Sequence, residues 1–115
     1  MKSETVYFCQ LNENIEFLIG KNQKDNFDII DMSRPNDLWF HLNDCPSCHV
    51  IAKLPENIDK KNLKYIIKRG ALLCKQNSKY KSEKDVDVIY TFIKNIKKTN
   101  KVGCVKTTNT KNICL

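Results

Sequence analysis

The run Leu38-Trp39-Phe40-His41-Leu42 alternates without a break, and a period of two is the signature of a β-strand with one face buried. Leu38, Phe40 and Leu42 share one face, the natural core side. Asp37, Trp39 and His41 share the other. Val50-Ile51-Ala52-Lys53 reads as a second strand, reached through the polar loop Asn43-Asp44-Cys45-Pro46-Ser47-Cys48. A hairpin centred on Cys45 sets His41 opposite His49. That register is one of several a loop of this length allows, because such loops are irregular.

The rest of the chain is arranged around that hairpin. Val6-Tyr7-Phe8-Cys9 and Ile15-Glu16-Phe17-Leu18-Ile19 read as two β-prone runs forming another hairpin. Gly20 opens a polar stretch, and Phe27, Ile29, Ile30 and Met32 suggest a short helix ahead of the turn signal Arg34-Pro35-Asn36-Asp37. Pro55 ends the second strand, and Asp59 is a fair N-cap for a long helix to about Asn77. On that helix Leu63, Ile66, Ile67, Ala71 and Cys74 form an apolar stripe, and Lys61, Lys64, Lys68 and Lys75 a basic one. Gly70 costs such a helix about 1 kcal/mol relative to Ala, which implies close packing against something. Val86 to Phe92 is a strong strand, and short strands are expected near Cys104-Val105 and Ile113-Cys114-Leu115. The expected fold is α+β, a mostly antiparallel sheet with one main α-helix, in a single domain over residues 1–115.

Charge is distributed unevenly along this plan. The 115 residues carry a net +7, and Lys, Asn and Ile together are so abundant that AT-rich codons explain part of the excess. Codon bias, however, acts on both halves alike. Residues 1–59 sum to −5, with 5 basic and 10 acidic side chains, whereas residues 60–115 sum to +12, with 15 basic and 3 acidic ones. A solvated Lys-rich surface is one reason for such polarity; a face for a polyanion is the other.

Several function classes drop out. No apolar run approaches the ~18 residues of a membrane span, and no apolar stretch follows the N-terminus as a secretory signal would require. A cytoplasmic location, reduced thiols and no membrane partner are therefore expected for the 6 cysteines. Cys45-Pro46-Ser47-Cys48-His49 has the spacing of c-type haem attachment and of half a zinc site, but haem attachment needs export, and no second CxxC completes a zinc set. No βαβ pattern surrounds the pair as in redox motifs. Cys9, Cys74, Cys104 and Cys114 lie singly among apolar residues, where cysteine behaves as a small core hydrophobe. Cys48 with His41 or His49 could form a nucleophile and base, yet only Asp37 and Asp44 could orient them, and no glycine-rich phosphate loop exists. The expectation is a non-enzyme with no cofactor and no metal.

Asp37, Trp39 and His41 on one strand face point elsewhere. Rings beside a lysine-rich helix suit unpaired RNA, since bases stack on the rings at about 1–3 kcal/mol each and lysines neutralise phosphates. The competing reading packs Trp39 under the N-terminal hairpin, with Asp37 and His41 bonded to loops. The residues alone leave both open.

The order of the motifs settles on a family. Gly20-Lys21-Asn22 with Asn26, then Asp37-Leu38-Trp39-Phe40-His41, then Pro46-Ser47-Cys48-His49-Val50-Ile51 resembles the NFACT-R domain. Its pattern runs approximately G-[KR]-N-x3-N, D-[IL]-[WY]-[FV]-H and P-[GS]-[SA]-H-V-[IV]. The strand from Val88 to Thr91, the Lys97-Lys98 pair and Val102-Gly103-Cys104-Val105 follow its later blocks, so the resemblance covers about residues 5–115. It implies that the CxxCH spacing is accidental and that the module binds nucleic acid, most of all RNA. By resemblance the partner is tRNA or ribosome-associated RNA, with the large ribosomal subunit as a wider partner; the oligomeric state is left open. The site residues it implies are Lys21, Asn22, Asn26, Asp37, Trp39, His41, His49, Lys97 and Lys98, with Asp37 orienting a histidine. The chain resembles the standalone branch of coiled-coil-domain proteins that begin with this module. A protein-interaction module, such as a ribosomal accessory or decoy, is the alternative, and a small zinc-binding protein a more distant one.

Overall fold

A computed structural model describes residues 2–43, 45 and 47–115; Met1, and Asp44 and Pro46 of the histidine hairpin, lie outside the described residues. A six-stranded sheet runs in the order β1-β2-β4-β3-β5-β8, with every neighbouring pair antiparallel. Its strands are β1 (Lys2–Phe8), β2 (Glu13–Ile19), β3 (Leu38–Leu42), β4 (Val50–Ala52), β5 (Asp87–Phe92) and β8 (Lys111–Cys114). The expected α+β architecture is present, with α2 (Leu63–Gln76) as the main helix and α1 (Gln23–Asp31) as a shorter one. Missing from the sequence reading is β6 (Ile96–Lys98), which pairs with β7 (Val105–Thr107) in a separate two-stranded ribbon.

The period-2 pattern of β3 sorts the two faces of the sheet. Phe40, Leu38 and Leu42 are fully buried in the larger core beneath α2, together with Phe17, Val50, Ile66 and Val88. The expected start of the helix is corrected: Asp59 accepts from the Lys61 amide at 3.1 Å and caps a single 3-10 turn over Lys60–Asn62, and α2 itself begins at Leu63 with Asn62 at its N-cap. Gly70 faces the Phe40 ring so closely that a Cβ there would lie 2.3 Å from a ring carbon. The glycine therefore gives up helix propensity so that α2 can rest on the sheet.

The opposite face carries a second, smaller core of Leu18, Ile29, Trp39 and Ile51, with Ile30, Ile89, Ile96 and Val105 packed against it. Here α1 and the β6–β7 ribbon form the cover. They are joined by Lys98, which pairs with Asp31 and sits 4.9 Å from the centroid of the Phe27 ring. Gly103 in the ribbon turn adopts φ 85°, and a Cβ there would press on Gln23 at 2.8 Å. Both backbone conformation and space require glycine at this position.

Candidate nucleic-acid interface

Each block of the motif order has a local physical reason. Asn22 caps α1, its side chain accepting from the Asp25 amide at 2.8 Å. One turn later Asn26 is buried, and its Oδ1 accepts from the His49 amide at 3.1 Å. Gly20 donates its own amide to the His49 carbonyl at 3.0 Å, and a Cβ on Gly20 would overlap Asn26 Oδ1. Gly20, Asn22 and Asn26 thus form a clasp that holds the start of α1 against the backbone of His49. Lys21, between them, is exposed.

Asp37 does not do what the sequence suggested. It is 1% exposed, and its carboxylate accepts from the amides of Arg34 at 2.8 Å and Leu54 at 2.9 Å. Lys53 Nζ lies 2.9 Å from it and the Arg34 guanidinium 3.8 Å. A buried carboxylate needs such compensation for its lost hydration, and these partners provide it at the start of β3, away from the imidazoles. His41 is oriented instead by its own neighbour, with Nδ1 donating to the Leu42 carbonyl at 2.7 Å. A carbonyl can only accept, so the neutral ring keeps its proton on Nδ1 and presents a lone pair at Nε2.

Trp39 is likewise 1% exposed and is no open stacking platform. Neither is it under the N-terminal hairpin: α1 and the β6–β7 ribbon cover it. The β3–β4 register pairs Leu38 with Ala52, Trp39 with Ile51 and Phe40 with Val50. The ladder ends at that last pair, and just beyond it the His41 and His49 rings lie next to one another; the centre of the hairpin expected from sequence involves Asp44 and Pro46, outside the described residues. Trp39 and His41 lie parallel with centroids 5.6 Å apart, and His49 meets both edge-on at 5.3 and 5.1 Å. Burial holds the His49 imidazole down at about 3, with the neighbouring His41 adding to the effect. Burial lowers His41 as well, against the opposing influence of its bond to Leu42. Both rings are therefore neutral near pH 7.

These rings line a cleft of about 580 Å³ between α1 and the turn of the β6–β7 ribbon. Gln23 and Asn26 contribute from α1, and Lys101, Cys104 and Thr107 from the ribbon. Trp39 Nε1 and His49 Nδ1 are buried without a hydrogen-bond partner.

The structure divides the basic half of the chain between two faces. Exposed Lys61, in the 3-10 turn, and Lys64 and Lys68, on α2, lie across the sheet from the cleft. Lys94, Lys97, Lys101 and Lys106, by contrast, are exposed on and around the ribbon beside it. Lys97 and Lys106 stand directly opposite in the β6–β7 ladder. Lys98, whose register partner Val105 faces the core, is turned toward α1 and engaged there. Lys101 and Lys106 were not singled out from sequence. Ile96-Lys97-Lys98 and Val105-Lys106-Thr107 are too short and too polar to signal this ribbon.

The cysteines also need correction. Cys74 is buried, but Cys9, Cys104 and Cys114 are exposed rather than packed in the core. Cys74 Sγ donates to the Cys48 carbonyl at 3.7 Å, so the α2 thiol helps tie down the histidine hairpin. Among the described residues no group of three or more His, Cys, Asp or Glu side chains could hold a metal ion. No helix there is long and apolar enough to cross a membrane.

Comparison with known proteins agrees with the motif order. The family model described as NFACT protein RNA binding domain matches residues 5–109. The coiled-coil domain-containing protein 25 homolog of Dictyostelium discoideum is 33% identical over 96 residues, which cover 82% of this chain and 47% of that protein. Coiled-coil domain-containing protein 25 of Mus musculus is 34% identical over 90 residues, 70% of this chain and 40% of that one. The Rqc2 homolog RqcH of Bacillus subtilis is 30% identical over 87 residues, 75% of this chain and 14% of its own length. The chain thus spans less than half the length of these relatives. The C-terminal part of the fibronectin/fibrinogen-binding protein from Streptococcus suis superposes with a TM-score of 0.80 over the whole chain and 45% of its own, at 24% identity, and so shares the fold. With a family model matching nearly end to end and relatives at a third identity, the chain belongs to the NFACT protein RNA binding domain family, a nucleic-acid-binding module.

Proposed function

We propose that this protein is a non-catalytic module that binds tRNA or ribosome-associated RNA on the face built by α1 and the β6–β7 ribbon. The observation that carries the reading is the ribbon's charge. Residues 94–111 hold six lysines and no acidic side chain, and Lys97 and Lys106 are cross-strand neighbours. Like charges directly opposite destabilise a ladder, whereas a phosphate between them turns repulsion into attraction. Lys21 and Lys101 extend the same basic surface around the cleft. Asn22, Asn26 and Asp37 serve it by positioning backbone, because Asn22 Oδ1, Asn26 Oδ1 and the Asp37 carboxylate accept from backbone amides.

A gel-shift titration with tRNA, stem-loop RNA and single-stranded DNA, repeated across salt concentrations, tests the assignment. Each phosphate contact contributes about 0.7 to the slope of log affinity against log salt on a single strand. Lys97→Gln with Lys106→Gln should flatten the slope by about 1.4 and weaken every nucleic acid alike. Lys61→Gln, Lys64→Gln and Lys68→Gln together should leave the slope nearly unchanged. A salt-independent interaction, or an effect only from the triple variant, would refute the site. Co-purification with ribosomal subunits without nucleic-acid affinity would favour a protein-interaction module instead.

A further inference from the structure

We infer that the cleft beside the histidine pair takes one unpaired nucleobase of a bound RNA, while the lysines around it hold the flanking phosphates. This rests on the RNA-binding reading above and adds a site that charge alone does not require. Among the described residues lining the cleft, Lys101 alone carries a formal charge at neutral pH, because His41 and His49 are neutral. Such an interior is poor for a phosphate and good for a base.

The hydrogen-bonding groups agree with this division. Phosphate oxygens only accept, so they would meet the His41 Nε2 lone pair as like against like. A base edge carries donors and acceptors together. The cleft-lining rings provide both kinds of partner: an indole N–H on Trp39 without an acceptor, and the acceptor nitrogen of His41. His49 Nδ1 is a further buried nitrogen without a partner. Buried polar atoms are normally satisfied, whereas Trp39 Nε1 and His49 Nδ1 belong to cleft-lining rings and have no protein partner. The parallel pair of Trp39 and His41 also provides a ring stack that a third flat ring can extend. The wall on the ribbon side includes the small residues Gly103, Cys104 and Thr107 beside Lys101 and Val105.

Trp39 is the single tryptophan of the chain, so its emission reports on the cleft directly. The experiment titrates the full chain with a single-stranded RNA decamer, the same decamer carrying one abasic position at each site in turn, and a blunt duplex of equal phosphate count. The expected result is a change in Trp39 emission with the single strand and none with the duplex, even where the duplex binds. Thr107→Phe, which fills the cleft from its ribbon side, should weaken the single strand about tenfold, in line with losing one stacked base, and leave duplex affinity unchanged. His41→Ala should weaken the single strand similarly. A circular dichroism spectrum and urea midpoint for each variant separate loss of the site from loss of the fold. Equal binding and an equal emission response for intact strand, abasic strands and duplex would overturn the base site and leave the lysine reading standing. No binding of any of the three would overturn both.

Discussion

One buried imidazole, His49, and a half-buried one, His41, make acid the natural probe of this molecule at the scale of single residues. An unfolded histidine titrates near pH 6.5, but His49 in the folded chain is held at about 3. Between those values the unfolded chain binds a proton that the native state refuses. Stability is therefore full above about pH 6.5 and declines as pH falls toward 3, at up to about 1.4 kcal/mol per pH unit for His49. His41 acts in the same direction. Urea midpoints at pH 7.5, 6 and 5 should show this decline. His49→Gln should be less stable at pH 7.5 yet lose less on acidification; an unchanged acid slope would contradict the assignment. Asp37 makes the opposite kind of prediction, since its role is to hold backbone. Asp37→Ala leaves the Arg34 and Leu54 amides without their acceptor and Lys53 without its counter-ion, at a cost of about 2–4 kcal/mol. Its RNA affinity, measured at a temperature where the variant is folded, should match that of the unchanged chain. A loss of affinity with stability intact would restore Asp37 to the binding site.

At the scale of elements, the contact of α2 with β3 is the most exacting. Gly70→Ala would ordinarily strengthen a helix by about 1 kcal/mol. Here the added Cβ meets the Phe40 ring at 2.3 Å, so a net loss of about 1–3 kcal/mol is expected from overpacking. Thermal unfolding checks it, and Phe40→Leu in the same chain should recover part of the loss by removing ring atoms at the clash. A stabilised Gly70→Ala would mean that α2 sits higher on the sheet than this geometry allows. The contact was legible in outline, because a glycine inside an otherwise good helix asks for a close neighbour and the alternation of β3 turned Phe40 toward the core. The same alternation put Trp39 on the other face but could not say what lies over it. That cover comes from α1 and from a ribbon of two three-residue strands, too short and too polar to announce itself by periodicity. Alternation put His41 on the face of Trp39, but a slip of two residues would keep every side chain on its face, so the nearness of His49 was not fixed by the pattern. Asp37 was misread because its partners Lys53 and Leu54 arrive from the end of β4, and strand alternation carries no information about that crossing.

The whole molecule is a sheet with two unequal cores, and its stability should be distributed accordingly. The core under α2 gathers large side chains from β2, β3, β4 and β5. The one under α1 and the ribbon has four fully packed members, Leu18, Ile29, Trp39 and Ile51, and the Lys98–Asp31 pair that helps close it lies at the surface. Less buried apolar area means a smaller free energy of local opening. Native-state hydrogen exchange should therefore find the amides of β6, β7 and α1 opening by sub-global fluctuations, while those of β2, β3 and β4 exchange only with global unfolding. This asymmetry falls on the proposed binding face. A ligand that contacts the ribbon and fills the cleft must hold the weaker layer closed, so added single-stranded RNA should slow exchange in β6, β7 and α1 by a factor that grows with its concentration. Exchange in the β-strands under α2 should respond only through global stability. Uniform protection across both layers before any ligand is added would show one cooperative unit, and protection by RNA centred on α2 would move the interface to the other side of the sheet.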